Sequence, residues 1–183
     1  YRTLANGARK YDNLIKPDLV APGNKIIGAR SYYNGTENYL ARTYTSLRTG
    51  AATGREQKIM YMSGTSMAAP IVAAAASLLL QTNQNLTPNL VKAILMYSAQ
   101  PLQNANTLEQ GAGLLNIDGA VRIARLIKPT MPTTNGSALL NASLPTSQTS
   151  NFGGYTAHWG KGVITNYGFL HGNDLMTKWQ GMY

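Results

Sequence analysis

The chain has 183 residues, a formal charge of +9 from 16 basic and 7 acidic residues, and no cysteine. That length is enough for one domain with a real core. The missing cysteines exclude a disulfide framework, thiolate chemistry and a zinc-thiolate site, without deciding the compartment. The charge raises a nucleic-acid reading. However, the basic residues are scattered, Arg9-Lys10 is their only adjacent pair, and there is no basic stripe or stacking motif. A mildly basic, solvated surface is expected instead, with no nucleic-acid partner.

Residues 1–15 are polar and mixed, with Asn6-Gly7 as a turn signal. Lys16-Pro17-Asp18-Leu19-Val20 reads as a short strand ended by Ala21-Pro22-Gly23, since proline cannot donate to a ladder and glycine permits the turn. Asp18 is expected to be a structural carboxylate accepting local backbone bonds. Lys25–Ala29 is a second short strand. Residues 30–57 are rich in Ser, Thr, Tyr, Asn, Gly and Arg without a sustained period, far longer than the roughly 4–6 residues of an ordinary connection. Two readings stay open for this excursion: a recognition loop using Tyr32, Tyr33, Tyr39 and Tyr44, or a surface detour of no consequence.

Lys58–Met62 is a strand candidate that delivers the chain to Ser63-Gly64-Thr65-Ser66-Met67-Ala68-Ala69-Pro70. Thr65 or Ser66 can cap the helix that follows, and Pro70 is tolerable if it falls near the first turn. From Met67 to Leu80 nearly every residue is apolar on all faces. Such a helix belongs in a core or a membrane. The run is shorter than the ~20 residues a bilayer needs, so it predicts a buried central helix and no membrane span. A serine at the head of a buried helix has free amides and the positive dipole end around it, and its own amide can face a developing oxyanion. Gly64 lets backbone pass close to a ligand. An ordinary Ser/Thr cap on a core helix is the competing reading of this segment.

Thr87-Pro88 starts another helix, with Leu90, Val91, Ile94 and Leu95 on its apolar face and Lys92 on the wet side. Residues 102–110 read as a loop, and Gly111 and Gly113 as points of close approach. Asn116 caps a last helix with Val121 and Ala124 inward and Arg122 and Arg125 solvated, stopped at Lys128-Pro129. From residue 130 the composition shifts to Ser, Thr, Asn, Pro and Gly, which reads as a linker. Gly162-Val163-Ile164, Gly168-Phe169-Leu170 and Asp174-Leu175-Met176 recur at a six-residue step. The step suggests β-turn-β units or one rung-like motif, against a polar tail with chance couplets.

Ser63 to Pro70 closely resembles the nucleophile segment of the subtilisin-like serine proteases. Lys16 to Gly23 resembles the strand and turn before it in that family, and Gly111-Ala112-Gly113-Leu114-Leu115-Asn116 its Gly-rich turn and closing helix. The three matches come in the family's order and cover roughly residues 12–127. The resemblance implies a piece of an α/β, three-layer subtilisin-like domain with a mostly parallel sheet. On that reading residues 1–129 are the C-terminal part of the catalytic domain, 130–157 a linker, and 158–183 a small β-rich or loose tail.

The resemblance also implies the chemistry: a serine endopeptidase acting on polypeptide through an acyl-enzyme on Ser66. Gly64, Thr65 and Met67 would lie beside the oxyanion and substrate. The family's Asp and His motifs and its second oxyanion donor are expected upstream of Tyr1. The chain is accordingly read as a fragment that needs its N-terminal half as partner and is inactive alone. Asp12 and Asp18 do not fit the family's aspartate, nor His158 and His171 its histidine. No metal site or cofactor is expected in this segment, because its acidic residues are few and far apart. Structural calcium in the full-length protein, and a secreted or cell-surface location, follow from the resemblance alone. The alternatives are a non-catalytic protease-like scaffold and a surface-binding module working through its tail.

Overall fold

The computed structural model describes residues 2–11, 14–49, 58–132, 134 and 136–171. Asp12, residues 50–57 and the third couplet, Asp174-Leu175-Met176, lie outside the described residues. The chain divides into two units, Tyr1–Val20 with Ala74–Tyr183, and Ala21–Ala73. The first begins with a hairpin, β1 (Arg2–Thr3) and β2 (Arg9–Lys10), folded back at the expected Asn6-Gly7 turn, where the Ala8 amide donates to Asn6 Oδ1 at 3.1 Å.

The Ala21–Ala73 unit holds β3 (Ile26–Ala29), β4 (Tyr32–Tyr33), β5 (Thr36–Glu37), α1 (Tyr39–Thr43), a 3-10 turn over Thr45–Leu47, β6 (Arg48–Thr49) and β7 (Ile59–Met62). It also holds the start of α2 (Thr65–Thr82). Strand β7 is the middle of a three-stranded sheet, antiparallel to β3 on one side and to β6 on the other. The excursion of residues 31–49 is ordered by charge as well as by turns. Glu37 meets Arg30 Nε at 3.1 Å and Arg48 at 2.7 Å, and the Arg48 Nε donates to the Ala41 carbonyl at 2.9 Å. Asn38 caps α1 by accepting from the Leu40 and Ala41 amides, which seats Ala41 out of solvent.

In the other unit, α3 (Pro88–Ser98) starts as expected, with the Thr87 hydroxyl accepting from the Leu90 amide and Pro88 first in the helix. Residues 102–110 are not all loop. Asn106 and Glu109 form a reciprocal capping box around α4 (Thr107–Gln110), a signal visible in Asn-Thr-Leu-Glu and missed. Gly111 and Gly113 stand where expected: a Cβ at Gly111 would strike the Pro17 and Asp18 carbonyls, and one at Gly113 the Gln100 carbonyl. Asn116 caps α5 (Ile117–Ala124) by accepting from the Gly119 amide at 3.0 Å.

Four expectations change on contact with the structure. The described ladders are all antiparallel, and the one parallel pairing is an isolated bridge between Val20 and Leu114, so the described residues do not form a mostly parallel sheet. Helix α2 is not enclosed: only Ala75 and Leu79 are buried, and Leu78 and Leu80 are exposed, because no described element covers its other faces. By length and composition α2 could cross a membrane. Pro70 is the sixth residue of α2, beyond the first turn, so the Ser66 carbonyl lacks the amide that an i+4 residue would supply.

The fourth change concerns residues 130–157, expected as a linker, ahead of a tail from residue 158 expected to be small and β-rich or loose. Together they carry β8 (Thr149–Phe152), β9 (Tyr155–His158), β10 (Gly162–Thr165) and β11 (Gly168–His171), paired as two hairpins in the same unit as α3 and α5. The first two couplets are the facing strands of one hairpin, Val163 opposite Leu170 and Ile164 opposite Phe169. Val163 and Ile164 enter a core with Ala93, Met96, Ala99 and Ala112, Leu170 packs against it and Phe169 stays exposed; each fully buried Val or Ile is worth about 1.5–3 kcal/mol. Arg122 is not solvated either: it lies 5.1 Å from the Trp159 ring and donates to the Thr149 carbonyl at 2.6 Å. The β-turn-β reading of the first two couplets holds, whereas β8 and most of β9 lie in residues expected as linker.

Candidate active site

The site follows from hairpin register. Ile26 pairs with Met62, which brings the residues before β3 beside those after β7. Gly64 then donates its amide to the Gly23 carbonyl at 2.8 Å. The Ser63 hydroxyl accepts from the Lys25 amide at 2.9 Å and donates to Asn24 Oδ1 at 3.0 Å. Gly23 has to be glycine, since a Cβ there would sit 2.8 Å from the Gly64 oxygen and 3.1 Å from the Ala68 Cβ. Gly64 has φ +148°, a conformation that side chains rarely adopt.

From this anchored pair α2 starts at once. The Gly64 carbonyl accepts from the Met67 amide at 3.0 Å and the Ala68 amide at 3.3 Å, so Gly64 stands just before the helix and Thr65 and Ser66 are its first two residues. The expected hydroxyl cap is therefore corrected: neither Thr65 nor Ser66 occupies the cap position, because the Gly64 carbonyl already closes the first turn. That leaves the Ser66 hydroxyl without a structural task. Ser66 is exposed, and among the described residues no hydrogen bond uses its hydroxyl or its amide. Thr65 is exposed and Met67 half-buried. A strand, a glycine turn and a helix thus present the Thr65 and Ser66 hydroxyls beside first-turn amides, an arrangement suited to a nucleophile with an oxyanion donor at the same residue.

The excursion leaves this sheet at its far end. Ala29 pairs with Ile59, and Arg30 donates its amide to the Lys58 carbonyl at 2.9 Å. At about 3.3 Å per residue, β7 separates that exit from Ser63 by roughly 13–16 Å. The roles of Asn24, Lys25 and Ser63 escaped the sequence reading, since nothing in a run of residues signals a bond between positions 39 apart.

The other polar groups considered lie in the Tyr1–Val20 with Ala74–Tyr183 unit. Asp18 is structural, but its partners are side chains: Lys16 Nζ at 2.6 Å and Lys92 Nζ at 2.9 Å. Partial burial pushes its carboxyl up, and the hydrogen bonds and charges of the two lysines outweigh this and hold it below its ordinary value. Lys92, expected on the wet side, is thereby tied down. His158 and His171 end β9 and β11, both exposed, the latter 5.9 Å from the Phe169 ring. Among the described residues no three His, Asp or Glu side chains gather as metal ligands.

The sequence of known proteins bears on this geometry. The model of the subtilase family matches residues 2–120, well over half the chain and all of the turn that carries Ser66. The chain is 38% identical over 106 residues to serine protease AprX of Bacillus subtilis, a stretch that is 58% of this chain and 22% of that protein. It is 30% identical over 129 residues to subtilisin-like protease SBT2.3 of Arabidopsis thaliana, 60% of this chain and 14% of the plant protein. A shorter stretch of 71 residues, 37% of this chain, is 42% identical to the mouse membrane-bound transcription factor site-1 protease and is 7% of its length. The chain thus spans less than a quarter of the length of these relatives. It belongs to the subtilase family.

Proposed function

We propose that this chain carries the nucleophile of a serine endopeptidase of the subtilisin type, and that the aspartate and histidine completing the machinery come from the N-terminal half of the same catalytic domain. One observation carries the reading: within the family-matched span, Ser66 is exposed at the head of α2 with its hydroxyl unused by the described residues. In the reaction Ser66 Oγ attacks the scissile carbonyl of a polypeptide while a histidine takes its proton, and the Ser66 amide donates to the oxyanion. The amine leaves with that proton, and water releases the acyl group by the reverse sequence.

Membership in the family brings an α/β fold. The finer architecture, a three-layer domain with a mostly parallel sheet, belongs to the proposal: the parallel Val20–Leu114 bridge and the uncovered apolar faces of α2 support an N-terminal half that adds strands and closes over the helix. The chain alone, without a base near Ser66, would keep an ordinary hydroxyl and turn over no peptide. A secreted or cell-surface location, and structural calcium bound elsewhere in the protein, rest on the family alone.

Peptide hydrolysis by the full-length protein tests the reading. Ser66→Ala is expected to cut kcat by about three orders of magnitude or more while leaving substrate affinity near its starting value. Hydrolysis undiminished by the substitution would leave a peptide-binding scaffold as the better description.

A further inference from the structure

Three hydrogen bonds tie the turn of residues 23–25 to the two residues that precede α2, and they bear on how Ser66 is held. Gly64 N reaches the Gly23 carbonyl at 2.8 Å, the Lys25 amide reaches Ser63 Oγ at 2.9 Å, and Ser63 Oγ reaches Asn24 Oδ1 at 3.0 Å. Ser63 makes two of the three. Its hydroxyl uses its single proton on Asn24 and a lone pair on Lys25, so both its position and its rotation are set by these two bonds.

The far side of the clamp is held as firmly. Lys25 adopts φ +52°, a left-handed conformation uncommon for a lysine, while its amide donates to Ser63. Gly23 lies so close beneath the Gly64 oxygen that nothing larger fits. That same oxygen accepts from the Met67 and Ala68 amides. A continuous path therefore runs from Asn24 and Lys25 through Ser63 and the Gly64 peptide to the first turn of α2. Ser66 lies within it and makes none of its bonds.

We infer that Ser63 is a positioning residue: its hydroxyl, clamped by Asn24 and the Lys25 amide, fixes the pitch of the Gly64 turn and thereby the place and direction of the Ser66 hydroxyl and amide. The inference rests on the reading of Ser66 as the nucleophile. The physical ground is that attack needs the reacting atoms about 3–3.5 Å apart and aligned, and that a displacement of about 1 Å costs on the order of a hundredfold in rate. The Gly64–Gly23 bond shares the task through the backbone, and Ser63 adds the side-chain part of it, since the Ser66 hydroxyl and amide have no partner of their own among the described residues.

The test uses the full-length protein and a fluorophosphonate probe, following the rate of phosphonylation at Ser66 together with kcat and KM on a peptide. Ser63→Ala is expected to slow phosphonylation and lower kcat about tenfold with KM within about twofold. Ser63→Thr keeps the hydroxyl and is expected to return phosphonylation to within about threefold of the starting protein, and Asn24→Ala, which removes one arm of the clamp, to fall between the two. Phosphonylation of Ser63→Ala at the unsubstituted rate would overturn the positioning role, as would Ser63→Thr as slow as Ser63→Ala or a loss confined to KM. Failure of the unsubstituted protein to label at Ser66 would overturn the nucleophile reading, and the positioning role with it.

Discussion

Gly119 gives the sharpest test of how the C-terminal hairpins are joined to α5. It is buried at the third position of that helix, and a Cβ there would lie 2.8 Å from both Cε2 and Nε1 of Trp159 and 3.0 Å from the Cβ of Ser98. Neither neighbour is free to retreat. Trp159 is 3% exposed, donates its Nε1 proton to Ser150 at 3.1 Å, and has Arg122 on its ring. Ser150 in turn donates to Asp118 at 2.6 Å, and Ser98, fully buried, donates to the Ile94 carbonyl at 2.9 Å. Elsewhere in a helix, Gly→Ala stabilises by about 1 kcal/mol.

At Gly119 that gain is opposed by overpacking of about 1–3 kcal/mol, and a shifted indole also gives up a hydrogen bond worth about 1 kcal/mol. Gly119→Ala is therefore expected to destabilise by about 2 kcal/mol, which lowers Tm by about 4–8 °C for a unit of this size. Thermal unfolding followed by circular dichroism measures it. In Gly119→Ala/Trp159→Phe the smaller ring makes room, so the two substitutions together should cost at least about 1 kcal/mol less than their sum. A Tm for Gly119→Ala equal to or above that of the unsubstituted protein would refute the packing argument.

Asp18→Asn should cost up to about 1 kcal/mol near neutral pH, a modest value because both lysine partners are about half exposed. Since the folded carboxyl sits below its ordinary value, this stability is full above about pH 4 and is lost as pH falls through the folded value; unfolding across pH 2–7 should show the two proteins converging at the acid end. Peroxide should lower peptidase activity of the full-length protein by adding an oxygen to the Met67 thioether next to Ser66, and Met67→Ala should remove much of that sensitivity, with peptide mass mapping to confirm the site. The 183-residue chain on its own, assayed against casein, is expected to release no peptide above background, and full-length protein should recover turnover.

Legibility in the sequence followed the range of the interactions. Helix starts at Thr87-Pro88 and Asn116, the Asn6-Gly7 turn and the strand into Ser63 were readable because each depends on neighbours a few residues away. The Asn106–Glu109 box was equally local and was overlooked. Burial of α2 was misjudged because composition reports what a helix can bury, and covering elements must be present to bury it. Residues 130–157 misled in the opposite direction. Their polar average hid β8, β9 and the buried Trp159 just beyond, although the Val163-Ile164 couplet that packs with Ala93 and Met96 of α3 was legible. At the candidate site, Ser66 was singled out from its motif, whereas the Asn24–Ser63 clamp depends on strand register and leaves no mark in either segment alone.

The central claim is that Ser66 is a nucleophile activated by groups outside this chain. Peptide mass mapping of full-length protein treated with a fluorophosphonate tests it most directly. A phosphonyl adduct on Ser66, absent from Ser66→Ala and from the isolated 183-residue chain, is the expected result. Equal labelling of the unsubstituted protein and Ser66→Ala, or an adduct on another serine with Ser66 unmodified, would contradict the account.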